Sequence, residues 1–121
     1  MVKTFGLTHI ALAVRDMERS LCFYHDVFGV EVSFRDEDTI QASTPGARDV
    51  IVFDQTASHP GQTSGITHFG FRLLSADDID LAVAAVERAG GKILRRGEFS
   101  PGFPYAYVED PDGYEIEIWY E

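Results

Sequence analysis

The chain repeats itself. Gly6-Leu7-Thr8-His9 returns as Gly65-Ile66-Thr67-His68 fifty-nine residues later, and similar events follow each copy in the same order. After His9 comes an apolar strand through Val14, then Asp16 as a helix cap and an amphipathic helix to Phe28 stopped by Gly29. After His68 comes Phe69 to Leu74, then Ser75 or Asp77 as cap and a helix to Ala89 stopped by Gly90-Gly91. Three strand-like runs follow each helix: Val30 to Arg35, Thr39 to Ser43 and Asp49 to Asp54 in the first half, then Lys92 to Arg96, Tyr105 to Glu109 and Tyr114 to Tyr120 in the second. One βαβββ unit cannot cover both faces of its own sheet, so two should share one core. The expected fold is therefore α+β, with residues 1–121 forming one domain of two tandem βαβββ modules. Module one covers about residues 5–54, a linker about 55–64, and module two about 65–121.

Bulk properties narrow the function classes. Twenty acidic against ten basic residues leave a formal charge of −10, which repels phosphate backbones and anionic headgroups, so neither nucleic acid nor a membrane is an expected partner. The one cysteine, Cys22, excludes an intrachain disulfide and a thiolate-rich zinc site; inside the first helix it is expected as a buried small hydrophobe. Phe5 to Val14 is interrupted by Thr8 and His9 and lacks a cleavage site, and no run is long enough to span a bilayer. The cytoplasm is the expected location.

Strand parity says which side chains share a surface. Ile10, Leu12 and Val14 take one face of the first strand, the bulky one that must meet a helix. His9, Ala11 and Ala13 take the other, where two small residues leave space. The fifth strand sets Phe69, Phe71 and Leu73 against His68, Gly70 and Arg72, and the last sets Ile116, Ile118 and Tyr120 against Glu115, Glu117 and Trp119. Sheets curled into a half-open eight-stranded barrel, with helices outside, turn these polar faces into the lining of a cup. Histidines at one position of both halves, with a carboxylate on the same concave face, form a two-histidine, one-carboxylate ligand set. His25, within a helix, and His59, in the connecting loop, are expected to be solvated.

The stretches Leu7 to Val14, Phe23 to Gly29, Thr67 to Phe71 and Asp110-Pro111-Asp112-Gly113-Tyr114-Glu115-Ile116-Glu117 resemble the vicinal oxygen chelate superfamily of glyoxalases, bleomycin resistance proteins and extradiol dioxygenases. The resemblance implies a metal at His9, His68 and Glu117, with the superfamily's fourth ligand position falling on or near Val52, which cannot ligate. Asp54 shares the parity of Val52. The resemblance also places Tyr107, ten residues before Glu117, at the tyrosine of the extradiol dioxygenases and fosfomycin transferases. The transferases' threonine is replaced by Ala11 and their basic residue after the final glutamate has no counterpart in Ile118 to Glu121. The dioxygenases' second-sphere histidine is missing near Asp49 and Val50, unless His59 folds over the mouth.

The reading that follows is an extradiol-type dioxygenase that binds a bidentate small molecule, with Tyr107 and Arg72 as its acting side chains. Arg72, on the face of His68, can neutralise an anionic substrate or pair with Glu115. The alternatives are a glyoxalase I-like lyase or isomerase and a fosfomycin- or bleomycin-type resistance protein. Fe(II) or Mn(II) is the expected ion, with Zn(II) or Ni(II) the alternatives. Phe99, Phe103, Tyr105, Tyr107 and Trp119 offer an apolar wall, and Gly97 to Pro104 reads as a mouth loop. A homodimer is expected, with Leu7 to Val14 and Ile66 to Leu74 near its interface.

Overall fold

A computed structural model describes residues 1–121. The elements run β1 (His9–Ala13), α1 (Met17–Phe28), β2 (Glu31–Arg35), β3 (Thr39–Ser43), β4 (Val50–Asp54), β5 (Phe69–Arg72), α2 (Ile79–Arg88), β6 (Lys92–Glu98), β7 (Pro104–Glu109) and β8 (Glu115–Trp119), with a 3₁₀ turn at Ala76–Asp78. They form two four-stranded sheets of identical topology, ordered β1-β4-β3-β2 and β5-β8-β7-β6. In each, a parallel pair comes from the strand-helix crossover and two antiparallel pairs complete the sheet. This is the tandem βαβββ arrangement expected from the repeat.

Local chemistry sets the helix ends. The Asp16 carboxylate accepts from the Glu18 and Arg19 amides, and Gly29 closes α1 at φ 71°, a left-handed conformation that glycine adopts without strain. Ser75, rather than Asp77, caps the 3₁₀ turn that leads into α2. The buried side of α1 carries Met17, Ser20, Phe23 and Tyr24. Cys22 lies off that stripe and is exposed, so the expectation of a buried thiol is corrected. Strand parity holds on both sheets except at the bulges in β2 and β6. Leu12, Ile40, Ile51, Phe53, Ala106, Val108, Ile116 and Ile118 are buried toward the helices in one core with Phe23, Tyr24, Val83 and Val86. Phe28 and Phe71 stack at 3.8 Å between centroids, so the two modules meet through helix-side aromatics. The concave faces point away from that layer.

A polar latch joins the modules. The turn Asp110-Pro111-Asp112-Gly113 of module two is pressed against the start of α1 in module one. The Tyr24 hydroxyl donates to Asp110 Oδ2 at 2.7 Å, while Asp110 Oδ1 accepts from the Asp112 and Tyr114 amides. Asp112 accepts from the Arg15 amide and from the guanidinium groups of Arg15 and Arg19, each at 3.0 to 3.1 Å, and from Ser20 Oγ at 3.3 Å. The Tyr114 hydroxyl reaches the Ala13 carbonyl at 2.7 Å. Gly61 of the linker sits so close to the Asp112 carbonyl that no side chain fits there. Burial raises the Asp110 carboxyl above its ordinary range, with the Tyr24 hydrogen bond pulling it back.

No helix is long and apolar enough to cross a membrane.

Candidate metal centre

The concave face of the second sheet gathers the chemistry. His68 immediately precedes β5, and its Nε2 lies 3.1 Å from Glu117 Oε2 on β8. The Thr67 hydroxyl, 3.2 Å from His68 Nδ1, orients the ring so that Nε2 turns inward. Tyr107, paired with Glu117 across the β7–β8 register, packs its ring edge-on to His68 at 5.2 Å. Its phenol is raised above the ordinary value, first by desolvation, then by hydrogen bonding to Glu117 and the charge of that carboxylate, with Arg95 pulling it down.

Arg95 is the residue that parity counting misses. Its guanidinium lies 3.9 Å over the Tyr107 ring and pairs with Glu115 at 2.7 Å. Arg72 does not pair with Glu115. It stands at the far end of the face, over Trp119 at 5.3 Å, and donates to the Glu121 carbonyl. Three of the expected wall residues stand together, Phe99 packing on Tyr105 at 4.7 Å and Tyr105 on Tyr107 at 5.6 Å, whereas Phe103 stacks on Tyr120 at 6.3 Å. Gly97 lies within β6 rather than in the mouth loop, and a Cβ there would stand 2.6 Å from the Tyr105 hydroxyl, so glycine is what lets that ring lie across the sheet.

His9 is on the other sheet. It is exposed and lines, with His68, Ile10, Val50 and Gly70, an open cleft of about 610 Å³ between β1 and β5. No three His, Cys, Asp or Glu side chains of one chain converge as a metal site. One chain therefore brings His68 and Glu117 together and leaves His9 apart. An imidazole nitrogen and a carboxylate oxygen converging at 3.1 Å are donors that first-row divalent ions accept, so the pair fits a metal as two of the three expected ligands.

The strand register shows which residue of the first sheet corresponds to Glu117. Gly70 pairs with Glu117, and Ala11 pairs with Val52 in the same way, so Val52 is the structural counterpart of Glu117. Asp54 is occupied elsewhere: its Oδ1 accepts from the Thr56 amide and hydroxyl and the Ala57 amide, which hold its carboxyl below the ordinary range. His59 is exposed, with a left-handed φ of 61°, and shares a second cleft of about 380 Å³ with His68 and Glu115. His25 is exposed, with Nδ1 3.0 Å from the Val30 carbonyl.

Comparison with known proteins places the chain in a family. The chain is 27% identical to a glutathione transferase FosA from Serratia marcescens, the match covering 93% of this chain and 79% of that one. It is 32% identical to a lactoylglutathione lyase from Neisseria meningitidis serogroup A, covering 93% and 88%. It is 26% identical to a manganese-dependent 2,3-dihydroxybiphenyl 1,2-dioxygenase from Geobacillus genomosp. 3, covering 99% of this chain but 37% of that one. Among solved structures, the fosfomycin resistance protein FosX from Listeria monocytogenes superposes with a TM-score of 0.81 at 20% identity, covering 100% of this chain and 95% of that one. The model of the Glyoxalase/Bleomycin resistance protein/Dioxygenase superfamily matches residues 6–118, and the chain belongs to that superfamily.

Proposed function

We propose that the protein is a metal-dependent dioxygenase of the extradiol type, acting on a planar aromatic diol at a site made by two copies of the chain. His68 and Glu117 come from one copy and His9 from the other. The observation that carries the reading is the wall of Phe99, Tyr105 and Tyr107 leading to the His68–Glu117 pair. Such a surface binds a flat ring by face and edge contacts and sets its oxygens at the donors. Two features support a shared site: His9 stands apart from the pair, and apolar side chains around the edge strands are uncovered, with Leu7 98% and Ile66 60% exposed. A homodimer is therefore part of the proposal.

A bound Fe(II) or Mn(II) supplies Lewis acidity and a redox partner for dioxygen. The chain supplies the rest. Tyr107 keeps its proton near neutral pH and stands beside Glu117, placed to donate to a substrate oxygen. Arg95 holds the Tyr107 ring from its outer face and offsets the charge of Glu115. In ring cleavage one diol and one dioxygen give one ring-opened acid, both oxygen atoms entering the product.

A second reading, a lactoylglutathione lyase-type reaction, is favoured by the match along nearly the whole of the meningococcal enzyme. Valine at position 52 weighs against it, since the implied fourth ligand is absent.

The test is metal content with oxygen uptake. Wild-type protein loaded anaerobically should hold about one divalent ion per chain, and His9→Ala, His68→Ala and Glu117→Ala should each lose it. Fe(II)-loaded protein should consume dioxygen with catechols or dihydroxybiphenyls. Turnover of a glutathione hemithioacetal with Ni(II) or Zn(II), and no oxygen uptake with any diol, overturns the dioxygenase in favour of the lyase.

A further inference from the structure

The two sheets are matched more closely than their sequences suggest. On the second sheet one row of paired residues runs Gly70, Glu117, Tyr107, Arg95. On the first sheet the same row runs Ala11, Val52, Gln41, Phe34. Both rows cross a bulge at the same place, between Ile93 and Arg95 in β6 and between Val32 and Phe34 in β2. Directly paired residues point to the same face of a sheet, so Gln41 and Phe34 lie on the concave face of the sheet that carries His9, at the positions held by Tyr107 and Arg95 in the other module. One row carries ligand, phenol and cation. Its twin carries only neutral groups, and its Phe34 is a large apolar side chain 49% exposed on an open face.

We infer that Gln41 and Phe34 form the substrate-facing half of the site, opposite Tyr107 and Arg95. The inference rests on the shared site proposed above. If His9 of one copy joins His68 and Glu117 of the other, the near two-fold relation between modules brings the neutral row over the reactive one. Strands lie about 4.8 Å apart, so Gln41, two strands from β1, faces Tyr107, two strands from β5. The Gln41 amide then donates to a substrate oxygen from the side away from Tyr107. Phe34 covers the ring face that the aromatic wall leaves open. The two modules then divide the labour: module two acts on the ligand's oxygens while module one sets which rings fit.

The test uses Mn(II)-loaded protein and nitrocatechol, whose visible spectrum reports its binding. Gln41→Leu and Phe34→Ala change partly exposed positions outside the core, so both should fold and take up Mn(II) as the wild type does. Nitrocatechol affinity should fall about tenfold in each, and Phe34→Tyr should restore most of it. Normal Mn(II) uptake with unchanged nitrocatechol affinity in both variants overturns the inference and leaves the metal reading standing. Wild-type protein that takes up no Mn(II), or that keeps it after His9→Ala, is failure of the shared-site reading itself and removes the inference with it.

Discussion

Replacing Tyr24 by Phe removes one oxygen from the polar latch and nothing else. The ring keeps its packing against Phe23 and Phe53, with centroids 5.2 and 5.1 Å away. What is lost is the 2.7 Å hydrogen bond to Asp110 Oδ2, and in a site where Tyr24 is fully buried and Asp110 is 4% exposed no water replaces it. Hydrogen bonds to charged groups contribute about 1.5 to 3 kcal/mol, and an orphaned buried acceptor forfeits most of that, so Tyr24→Phe should destabilise by about 2 kcal/mol at pH 7. With a urea m-value of about 2 kcal/mol/M, the midpoint falls by about 1 M.

The pH dependence follows from the same bond. The Asp110 carboxyl is already raised by burial, and the Tyr24 bond is the largest influence lowering it. Without the hydroxyl it rises further. A carboxyl whose folded value exceeds the unfolded one supplies stability that is full below the unfolded value and is lost as pH rises through the folded value. The penalty of Tyr24→Phe should thus be greatest at neutral pH and shrink on acidification toward about pH 4, near the unfolded value. Urea melts followed by Trp119 fluorescence at fixed protein concentration measure both effects. A neutral-pH midpoint within about 0.2 M of wild type, or a penalty that grows on acidification, refutes the reasoning.

Two further outcomes are expected. At Gly91 an added Cβ would meet the Glu109 carbonyl, Phe23 and Val86, each at 2.7 Å; Gly91→Ala should therefore lower stability by about 1 to 3 kcal/mol in the same melts, and no measurable change would show that these neighbours yield. Mixing His9→Ala with Glu117→Ala protein, each devoid of metal alone, should restore about a quarter of wild-type uptake, because half of the randomly paired dimers regain one intact site; no recovery would place all the ligands of a site within one chain.

Much of this architecture was legible from periodicity. The repeat of Gly-Leu-Thr-His and Gly-Ile-Thr-His, the capping residues Asp16 and Ser75 and the alternation in β1, β5 and β8 are local signals, and local signals survive without knowledge of the partner strand. Arg95 was not legible. Parity counting assumes a strict period of two, and the bulge beside Leu94 leaves Ile93 packed on the core while turning Arg95 to the cup. The fate of Arg72 was hidden likewise, since its contacts are with Trp119 and the Glu121 carbonyl at the far end of the chain. Cys22 was misjudged for a different reason: burial on α1 does not follow apolarity alone, since the buried side includes Ser20, a polar residue held there by Asp112, and leaves Cys22 outside. The Asp-Pro-Asp-Gly segment could be read as a turn, but its grip on α1 is a tertiary fact.

That grip bears on how the chain folds. Arg15 and Asp112 are 97 residues apart in a chain of 121, so their contact closes nearly the longest loop available to it. Contacts of such sequence separation are reached only after most of the chain has lost its conformational freedom. Within each sheet the longest separations are much shorter: His9 pairs with Val50 and Phe69 with Ile116, each under half the span of the latch. On that ground the latch is expected to form late, and until it does Asp112 has neither arginine and α1 lacks its outer clamp. A chain still being synthesised therefore holds module one without the Asp112 partner of Arg15 and Arg19 until the Asp110–Gly113 turn has emerged, and docking of that turn fastens the β7–β8 hairpin to α1.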